Sequence, residues 1–474
     1  MRWMRHSTPV ALLAAGAQIV AEGPRWQMMP AYALTGGLLL IWLWRAAAAG
    51  HTVWRRPCRL ATGAAVGLGA IALVVSIALP NAFPIFRFPQ PTGPYAIGTL
   101  TYHWIDATRL EAFGAYPQDR RELMVQIWYP AAADSSSRRA PYMQDAEAVT
   151  SAFAQIHHLP TFLFGHFRLV TTNAVQSAPV AGARGEYPVL LFLEGVTGFR
   201  QMNTYQIEEL VSHGHIVVAI DQPGAAADVV FADGRQAIGM TLAQVHASID
   251  SSYLPSPGAP RPIGKVPTGV DLIRYFAQDA VFALDQLAAL NRSDPKGILS
   301  GRLDLRHVGA FGVSLGGIVV AEACHLEPRL KACLMMDAPM PIDVVRSGLE
   351  QPSMWLTRDA AGMRLERQRA GGWSETEILA HQSSMRAVFQ ALPGAGYFVQ
   401  MPGMFHSNFT DVPNWSPWTT QMHLTGPIDG QRAHDIVNAY SVAFFDQHLS
   451  DHKAGQLDVP TARYPEVHFE ARQR

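Results

Sequence analysis

The sequence predicts an α/β protein in which a mostly parallel, doubly wound sheet follows an N-terminal transmembrane helical segment. Two observations carry this prediction. From residue 188 onward, short apolar runs suited to buried strands alternate with helical stretches, as in parallel sheets whose strands are joined by crossover helices. Before residue 80, charges are absent from two long apolar stretches, as in helices that cross a bilayer.

Composition limits the class of protein. The chain has 474 residues, more than one ordinary core accommodates, so we expect two or more units. Its 37 Lys and Arg nearly balance its 38 Asp and Glu, and this balance argues against a nucleic-acid partner. Three cysteines cannot form a disulfide framework or a four-cysteine zinc site, and we expect no metal or other cofactor. A disulfide between Cys324 and Cys333 is one alternative, but two buried free thiols are favoured.

The N-terminal region, 1–80, is predicted to span a membrane. Leu60–Leu79 and Gln27–Trp44 are uncharged and long enough to cross about 30 Å of hydrocarbon, whereas Ser7–Ala21 is marginal. Trp42 and Trp44 lie where an interfacial aromatic belt would place them. Residues 81–94 are rich in proline and are predicted to form a stiff linker to a catalytic domain over 95–474.

Arginines predict the orientation of these spans. Four of them, Arg45, Arg55, Arg56 and Arg59, lie in the loop between the two stronger spans, while Arg87 is alone in following the second span closely. The positive-inside tendency places that loop in the cytoplasm. The residues after about position 90 are therefore expected to face the periplasm or the exterior.

The catalytic domain is predicted to open with an antiparallel pair, because Tyr95–Ile105 and Glu122–Tyr129 alternate apolar and polar residues. The following elements are the strands Val189–Leu193, Ile216–Ile220, Lys331–Met336, Pro352–Thr357 and Tyr397–Met401, and the helices Tyr205–His213, Asp271–Asn291, Ser374–Leu392 and Ala433–Leu449. Residues 222–268 interrupt the alternation with Gly-, Pro- and Ser-rich sequence. They are a candidate cap over the pocket, and a disordered surface excursion is an equal alternative.

The organising stretch is Val308–Gly317, in which an apolar strand is followed by Gly312-Val313-Ser314-Leu315-Gly316 and then by a helix. A G-x-S-x-G turn between strand and helix is the setting of a nucleophilic serine. Side chains at 312 and 316 would collide where strand and helix approach, so glycine is expected at both. Ser314 is therefore the candidate nucleophile.

A serine hydroxyl needs a base, and the base needs an acidic partner. His406 lies in the loop after the last predicted strand, where the base is expected. Asp337 and Asp359 both lie at predicted strand ends and are the two candidate acids. Asp337 is favoured because the apolar residues before it would bury it, whereas a salt bridge to Arg358 or to a neighbour is a sufficient explanation for Asp359. The less favoured histidines after Ser314 are His325, His381, His423, His434, His448 and His452.

The oxyanion formed during acyl transfer needs two backbone N–H donors. One is expected from Leu315, directly after the nucleophile, and the other from Val196, in the turn after the first buried strand.

Together these motifs resemble the platelet-activating-factor acetylhydrolases of the isoform II type, which are serine esterases of the α/β-hydrolase superfamily. The resemblance is carried by Thr92–Tyr95, Arg121–Pro130, the 188–221 block and the elbow, and then by Met336–Ala338, Pro402–Asp411 and Gly426–Gly430. It covers most of 90–450 and supports Asp337 as the acid. The N-terminal spans, with Glu22–Gln27, look like the membrane-anchored bacterial branch of the family.

The resemblance implies a multi-pass protein of a bacterial inner membrane. It also implies a calcium-independent esterase, like 1-alkyl-2-acetylglycerophosphocholine esterase, that acts on short or oxidised sn-2 acyl chains of phospholipids or on other small esters. One departure is Glu194-Gly195, where the family usually has His-Gly. We expect Glu194 to hydrogen-bond within its own loop, with altered substrate choice or lower activity as the alternative.

Two other functions stay open. The same triad serves an acyltransferase or a polyester or other small-ester hydrolase, and a hydrolase-like membrane protein without activity is a third reading. Acyl specificity and oligomeric state do not follow from the sequence.

Overall fold

The computed structural model describes residues 3–48, 59–114, 118–132, 138–241, 243–244, 272–450, 457 and 462–472. Helices are α1 Trp3–Glu22, α2 Met29–Ala48, α3 Arg59–Ala82, α4 Ala146–Ile156, α5 Thr204–Ser212, α6 Leu272–Arg292, α7 Leu315–Leu326, α8 Ile342–Ser347, α9 Ala360–Ala370, α10 Glu375–Ala391, α11 Val412–Trp415 and α12 Gly430–Leu449. Short 3₁₀ turns cover Trp26–Met28, Gly165–Leu169 and His406–Phe409.

The strands are β1 Ala96–Leu110, β2 Arg120–Ala131, β3 Arg139–Pro141, β4 Thr171–Gln176, β5 Tyr187–Leu193, β6 Ile216–Asp221, β7 Asp228–Val230, β8 Gln236–Ile238, β9 Leu303–Val313, β10 Leu330–Met336, β11 Ser353–Thr357, β12 Gly396–Gln400 and β13 His468–Arg472. Within the described ranges all but β7 and β8 form one sheet, in the order β13-β12-β11-β10-β9-β5-β6-β2-β1-β4-β3.

The centre of this sheet is parallel. Pairing is parallel from β6 through β5, β9, β10 and β11 to β12. The expected antiparallel opening pair is confirmed, with β1 against β2 and β2 against β6. Because parallel strands end at the same edge, the loops after β5, β9, β10, β11 and β12 lie along one rim, where such sheets bind ligands.

Both faces of the sheet are covered, as a doubly wound fold requires. On one face, buried side chains of α6 and α7 pack on the strands, among them Leu287 and Val320. On the other face, α5 and α12 contribute Leu210 and Phe444. The central strands are buried along their whole length, and this burial explains their continuous apolar sequence.

The predicted membrane spans are not confirmed. Among the described residues, no helix combines the length and the apolar character needed to cross a bilayer. Gln27–Trp44 does not form one helix, because Gln27 lies in a 3₁₀ turn, is buried, and donates from Nε2 to the Phe83 carbonyl at 3.2 Å. For Leu60–Leu79, the side chains of 60–66 lie outside the described part of the structure.

The N-terminal helices contact the catalytic domain through Trp26. Its indole Nε1 donates to the Leu163 carbonyl at 3.1 Å, and its ring lies 5.3 Å from the rings of both Phe83 and Phe162.

The candidate cap, 222–268, falls largely outside the described residues. Its described part contains the antiparallel hairpin of β7 and β8.

The expectation of two free thiols is wrong. Cys324, in α7, and Cys333, in β10, form a disulfide. Helix and strand are joined by a short turn, so the helix folds back on the strand and leaves the two Cα atoms 6.6 Å apart. The sequence separation of 9 allowed this bridge, but only the antiparallel return of the chain brings the sulfurs together.

We predict that thiol titration of the unfolded protein without reductant finds one reactive thiol, from Cys58. The Cys324→Ala/Cys333→Ala variant should lose about 2–3 kcal/mol of unfolding free energy, since a closed loop of this size restricts the unfolded chain by that amount. Urea unfolding of both proteins, with and without dithiothreitol, measures the difference. Three reactive thiols would contradict the bridge.

Candidate active site

Ser314 lies in a tight turn between β9 and α7. Its backbone has φ 57° and ψ −123°, in the left-handed half of the Ramachandran plot that side chains rarely adopt. Glycine is required on both sides, as the sequence predicts. A Cβ on Gly312 would lie 2.5 Å from the Gly316 carbonyl group, and one on Gly316 would lie 2.0 Å from the Leu193 oxygen.

Asp337 follows β10 directly, beside Ser314. Met336 pairs with Val313 in the parallel ladder, and the Ser314 N–H donates to the Met336 carbonyl at 2.9 Å. Asp337 has φ 45° and its N–H donates to Leu356 on the next strand. The carboxyl group is thereby held at the rim one strand away from the serine.

His406 begins the 3₁₀ turn after β12. Its Nδ1 lies 2.5 Å from Asp337 Oδ2, so the carboxylate accepts the Nδ1–H and leaves Nε2 as the basic nitrogen. Asp337 is fully buried, whereas 30% of the His406 side chain is exposed. The structure thus joins two of the predicted site residues by direct contact and places the third at the end of the adjoining strand.

Charged neighbours keep Asp337 ionised. Burial alone would raise the pKa of this carboxyl, but the Arg358 guanidinium and the His406 ring outweigh burial and hold the pKa well below its usual value. Arg358 Nε lies 2.7 Å from Asp337 Oδ2. Sequence reasoning assigned Arg358 to Asp359, and the signal it overlooked was the position of Arg358 at the end of a buried strand.

The competing acid, Asp359, has another task. Its Oδ1 accepts the Gly362 N–H at 2.7 Å, so it is the N-cap of α9. The ordinary explanation for this residue is therefore a helix cap, in place of the expected salt bridge.

The less favoured histidines are placed as follows. His381 is buried, with Nε2 3.8 Å from Asp337 Oδ1, and burial lowers its pKa to about 4. His434 forms a hydrogen bond with the Thr410 carbonyl and stacks on Tyr205, and His448 forms one with the Tyr397 hydroxyl. His325 lies in the last turn of α7, while His452 lies outside the described residues.

The turn after β5 runs past the nucleophile. A Cβ on Gly195 would lie 3.3 Å from Ser314 Cβ. Val196, the next residue in the chain, is therefore adjacent in sequence to the point of closest approach. Thr197 has φ 57°; its N–H donates to the Ala225 carbonyl at 2.7 Å, and its hydroxyl lies 3.2 Å from His157 Nε2. The turn is therefore held from two sides. The donor roles of Val196 and Leu315 stay predictions.

Glu194 starts this turn and is buried. Its Oε1 accepts the N–H of Gln222, at the end of β6, so its partner lies outside its own loop, contrary to expectation. Oε2 has no hydrogen-bond partner among the described residues. Burial, and then the nearby Asp221 carboxylate, raise the pKa of Glu194 well above its usual value and so favour the protonated, neutral form of the side chain.

Residues 81–238 match the family model described as platelet-activating factor acetylhydrolase, isoform II. This match covers about a third of the chain and shows a similarity to that family. The platelet-activating factor acetylhydrolase of Gallus gallus is 21% identical over 392 residues, covering 77% of this chain and 84% of that protein. A probable 1-alkyl-2-acetylglycerophosphocholine esterase of Arthroderma benhamiae is 23% identical, covering 84% of this chain and 98% of that protein.

A solved structure is also similar. The ferulic acid esterase from Streptomyces cinnamoneus has a TM-score of 0.60 and 26% identity, covering 81% of this chain and 99% of that chain. These likenesses confirm the predicted resemblance, the α/β-hydrolase-like fold with a mostly parallel sheet, and the prediction of an esterase. They do not test the residues of the site.

The raised pKa of Glu194 predicts how stability varies with pH. The folded protein holds a proton that the unfolded chain releases near its ordinary pKa of 4.5, so this contribution is lost as pH rises through the raised pKa. We expect Glu194→Gln to gain unfolding free energy over the parent protein, by a margin that grows as pH rises from about 4.5 towards the raised pKa. Urea unfolding at several pH values measures it.

The control for this prediction is Glu186→Gln, at a side chain that is 45% exposed. The difference in unfolding free energy between this variant and the parent protein should not change with pH. A Glu194→Gln difference that is equally flat would mean that Glu194 is ionised in the folded protein.

Proposed function

We propose that the protein is a serine carboxylic-ester hydrolase that acts on short-chain or oxidised acyl esters, including sn-2 esters of phospholipids. The observation that carries this proposal is the contact of His406 Nδ1 with Asp337 at the end of the strand beside Ser314. The names of the relatives support the lipid ester as substrate class.

In the proposed mechanism, Ser314 Oγ attacks the ester carbonyl while His406 Nε2 takes its proton. Asp337 accepts the Nδ1–H throughout and stabilises the imidazolium. The N–H groups of Val196 and Leu315 stabilise the oxyanion, where one such donor is worth about a hundred- to thousand-fold in rate. The alcohol leaves with the His406 proton, and water, deprotonated by the same imidazole, then hydrolyses the acyl-enzyme.

A second substrate class is a small ester outside the phospholipids. The ferulic acid esterase, which matches over most of both chains, favours it. The triad is the same in both cases, so the two alternatives differ only in which acyl and alcohol groups the pocket accepts.

The test is hydrolysis of a p-nitrophenyl ester series, a short sn-2 acyl phospholipid and methyl ferulate, together with fluorophosphonate labelling. Ser314→Ala should abolish both activity and labelling.

Asp337→Asn should lower kcat by about 10³- to 10⁴-fold, as loss of the acid does in serine hydrolases. Asp359→Asn should cost about 1 kcal/mol of stability through its lost cap and leave kcat nearly unchanged.

Two outcomes would overturn these assignments. Asp359→Asn proving more damaging than Asp337→Asn would move the acid to residue 359. Absence of labelling in the parent protein would favour the hydrolase-like protein without activity.

We further propose that α1–α3 contact a lipid bilayer and that the catalytic domain faces the periplasm or exterior of a bacterial inner membrane. The proposal is supported by large apolar side chains that these helices expose, including Val10, Leu13, Val20, Leu40, Trp42, Trp44, Leu68, Ile71 and Val74. The Cys324–Cys333 bridge agrees with an oxidising compartment, where disulfides persist.

Cell fractionation tests the proposed location. The full chain should stay with membranes after an alkaline carbonate wash, and protease added to intact spheroplasts should digest the catalytic domain. Recovery in the soluble fraction would contradict the bilayer contact. A catalytic domain that is cut only after the spheroplasts are lysed would contradict the orientation.

A further inference from the structure

A fully buried arginine lies behind the candidate active site. Arg358 follows β11, and its Nε is 2.7 Å from Asp337 Oδ2, the oxygen that also accepts His406 Nδ1–H. Its Nη1 forms an ion pair with Glu366 on α9. A buried cation is retained only where anions compensate it, and here two carboxylates do so.

Glu366 makes a second contact, to the main chain of His406. Its Oε2 accepts the His406 backbone N–H at 3.2 Å, and its side chain is 14% exposed. The contacts therefore close a ring: the imidazole binds Asp337, Asp337 binds Arg358, Arg358 binds Glu366, and Glu366 binds the backbone of His406. The ring joins the ends of β10 and β11, helix α9 and the loop after β12.

We propose that Arg358 and Glu366 are positioning residues for His406, which fix its loop through the backbone and set the charge around its ring. This inference rests on the proposed function, in which His406 is the base. Neither residue takes part in a chemical step of the proposed reaction. Their role is to hold the imidazole where Asp337 and Ser314 can use it.

The ring of contacts explains why His406 is held although its loop lies at the exposed rim. The Asp337 contact holds the ring of His406 but leaves its backbone attached only through the loop. A second attachment, at the backbone N–H of the same residue, restricts movement of the main chain before the substrate binds. Positioning within about 1 Å is worth roughly a hundredfold in rate.

The charges make the proposal distinguishable from simple support of the fold. The positive charge of Arg358 disfavours protonation of the His406 ring, whereas the negative charges of Asp337 and Glu366 favour it. The other titratable group packed here, His381 on α10, has its pKa lowered to about 4 by burial and is neutral. Trp373 contributes an uncharged ring 6.3 Å from His406. Removing the arginine or the glutamate should therefore shift the titration of His406 in opposite directions.

The experiment uses the full chain with ¹³Cε1-labelled histidine, and His406→Gln assigns the His406 signal. We expect Arg358→Gln, which removes a cation, to raise the midpoint of the His406 titration, and Glu366→Gln, which removes an anion, to lower it. The acid limb of kcat/KM should move with it. For a p-nitrophenyl ester, kcat should fall roughly 10- to 100-fold in Glu366→Gln, with KM nearly unchanged.

Two variants serve as controls. Arg358→Lys keeps the cation and should keep the midpoint close to that of the parent protein. Arg364→Gln removes an arginine of the same helix, α9, whose partner Glu375 is exposed, and should change neither midpoint nor kcat.

Midpoints that stay fixed, or that move in the same direction in both variants, would overturn the proposal and leave the pair a structural support only. The NMR titration needs no turnover, so it decides the inference whether or not an ester is hydrolysed. Loss of the proposed function would show separately, as absence of hydrolysis and of fluorophosphonate labelling in the parent protein.

Discussion

The parallel pairing of β9, β10, β11 and β12 is the constraint on which the site depends. It places Ser314, Asp337 and Arg358 at the ends of successive strands, and it brings the loop that begins with His406 to the same rim. A one-residue shift in any of these registers would turn a site side chain to the opposite face of the sheet. The hydrogen bond between His406 and Asp337 is thus a product of sheet register as much as of the two residues.

Two buried carboxyl groups near Ser314 have pKa values shifted in opposite directions, and their neighbours explain the difference. Asp337 contacts a guanidinium and an imidazole, and it stays charged. Glu194 has one backbone donor and lies near Asp221, whose own partner is Arg200, and no cation in the described part of the chain forms an ion pair with Glu194. Its raised pKa favours the neutral form, which does not oppose negative charge beside Ser314 as a carboxylate would.

The elements around the rim are tied together at several points. The Cys324–Cys333 bridge joins the helix that follows Ser314 to the strand that precedes Asp337. The turn after β5 is bonded to Ala225 and Gln222 on one side and to His157 on the other. Groups that must keep a fixed geometry are therefore supported from more than one element, as preorganised sites require.

Sequence patterns alone determined much of the fold. The apolar runs identified the central strands, because a strand covered on both faces is apolar throughout. They did not identify the short strands β3, β4 and β13 near the sheet edges or helix α4, where the sequence is mixed. The turn glycines at 312 and 316 and the preference for Asp337 over Asp359 also followed from local sequence, since each depends on close chain neighbours.

Only the tertiary structure decided which distant groups meet. It paired Arg358 with Asp337 and Glu366, buried His381 beside Asp337, joined Cys324 to Cys333, and gave Glu194 a partner directly after β6. The physical reason is the same in each case. A residue's type states which partners it can accept, but the register of the sheet and the crossing of its helices determine which partner lies within reach.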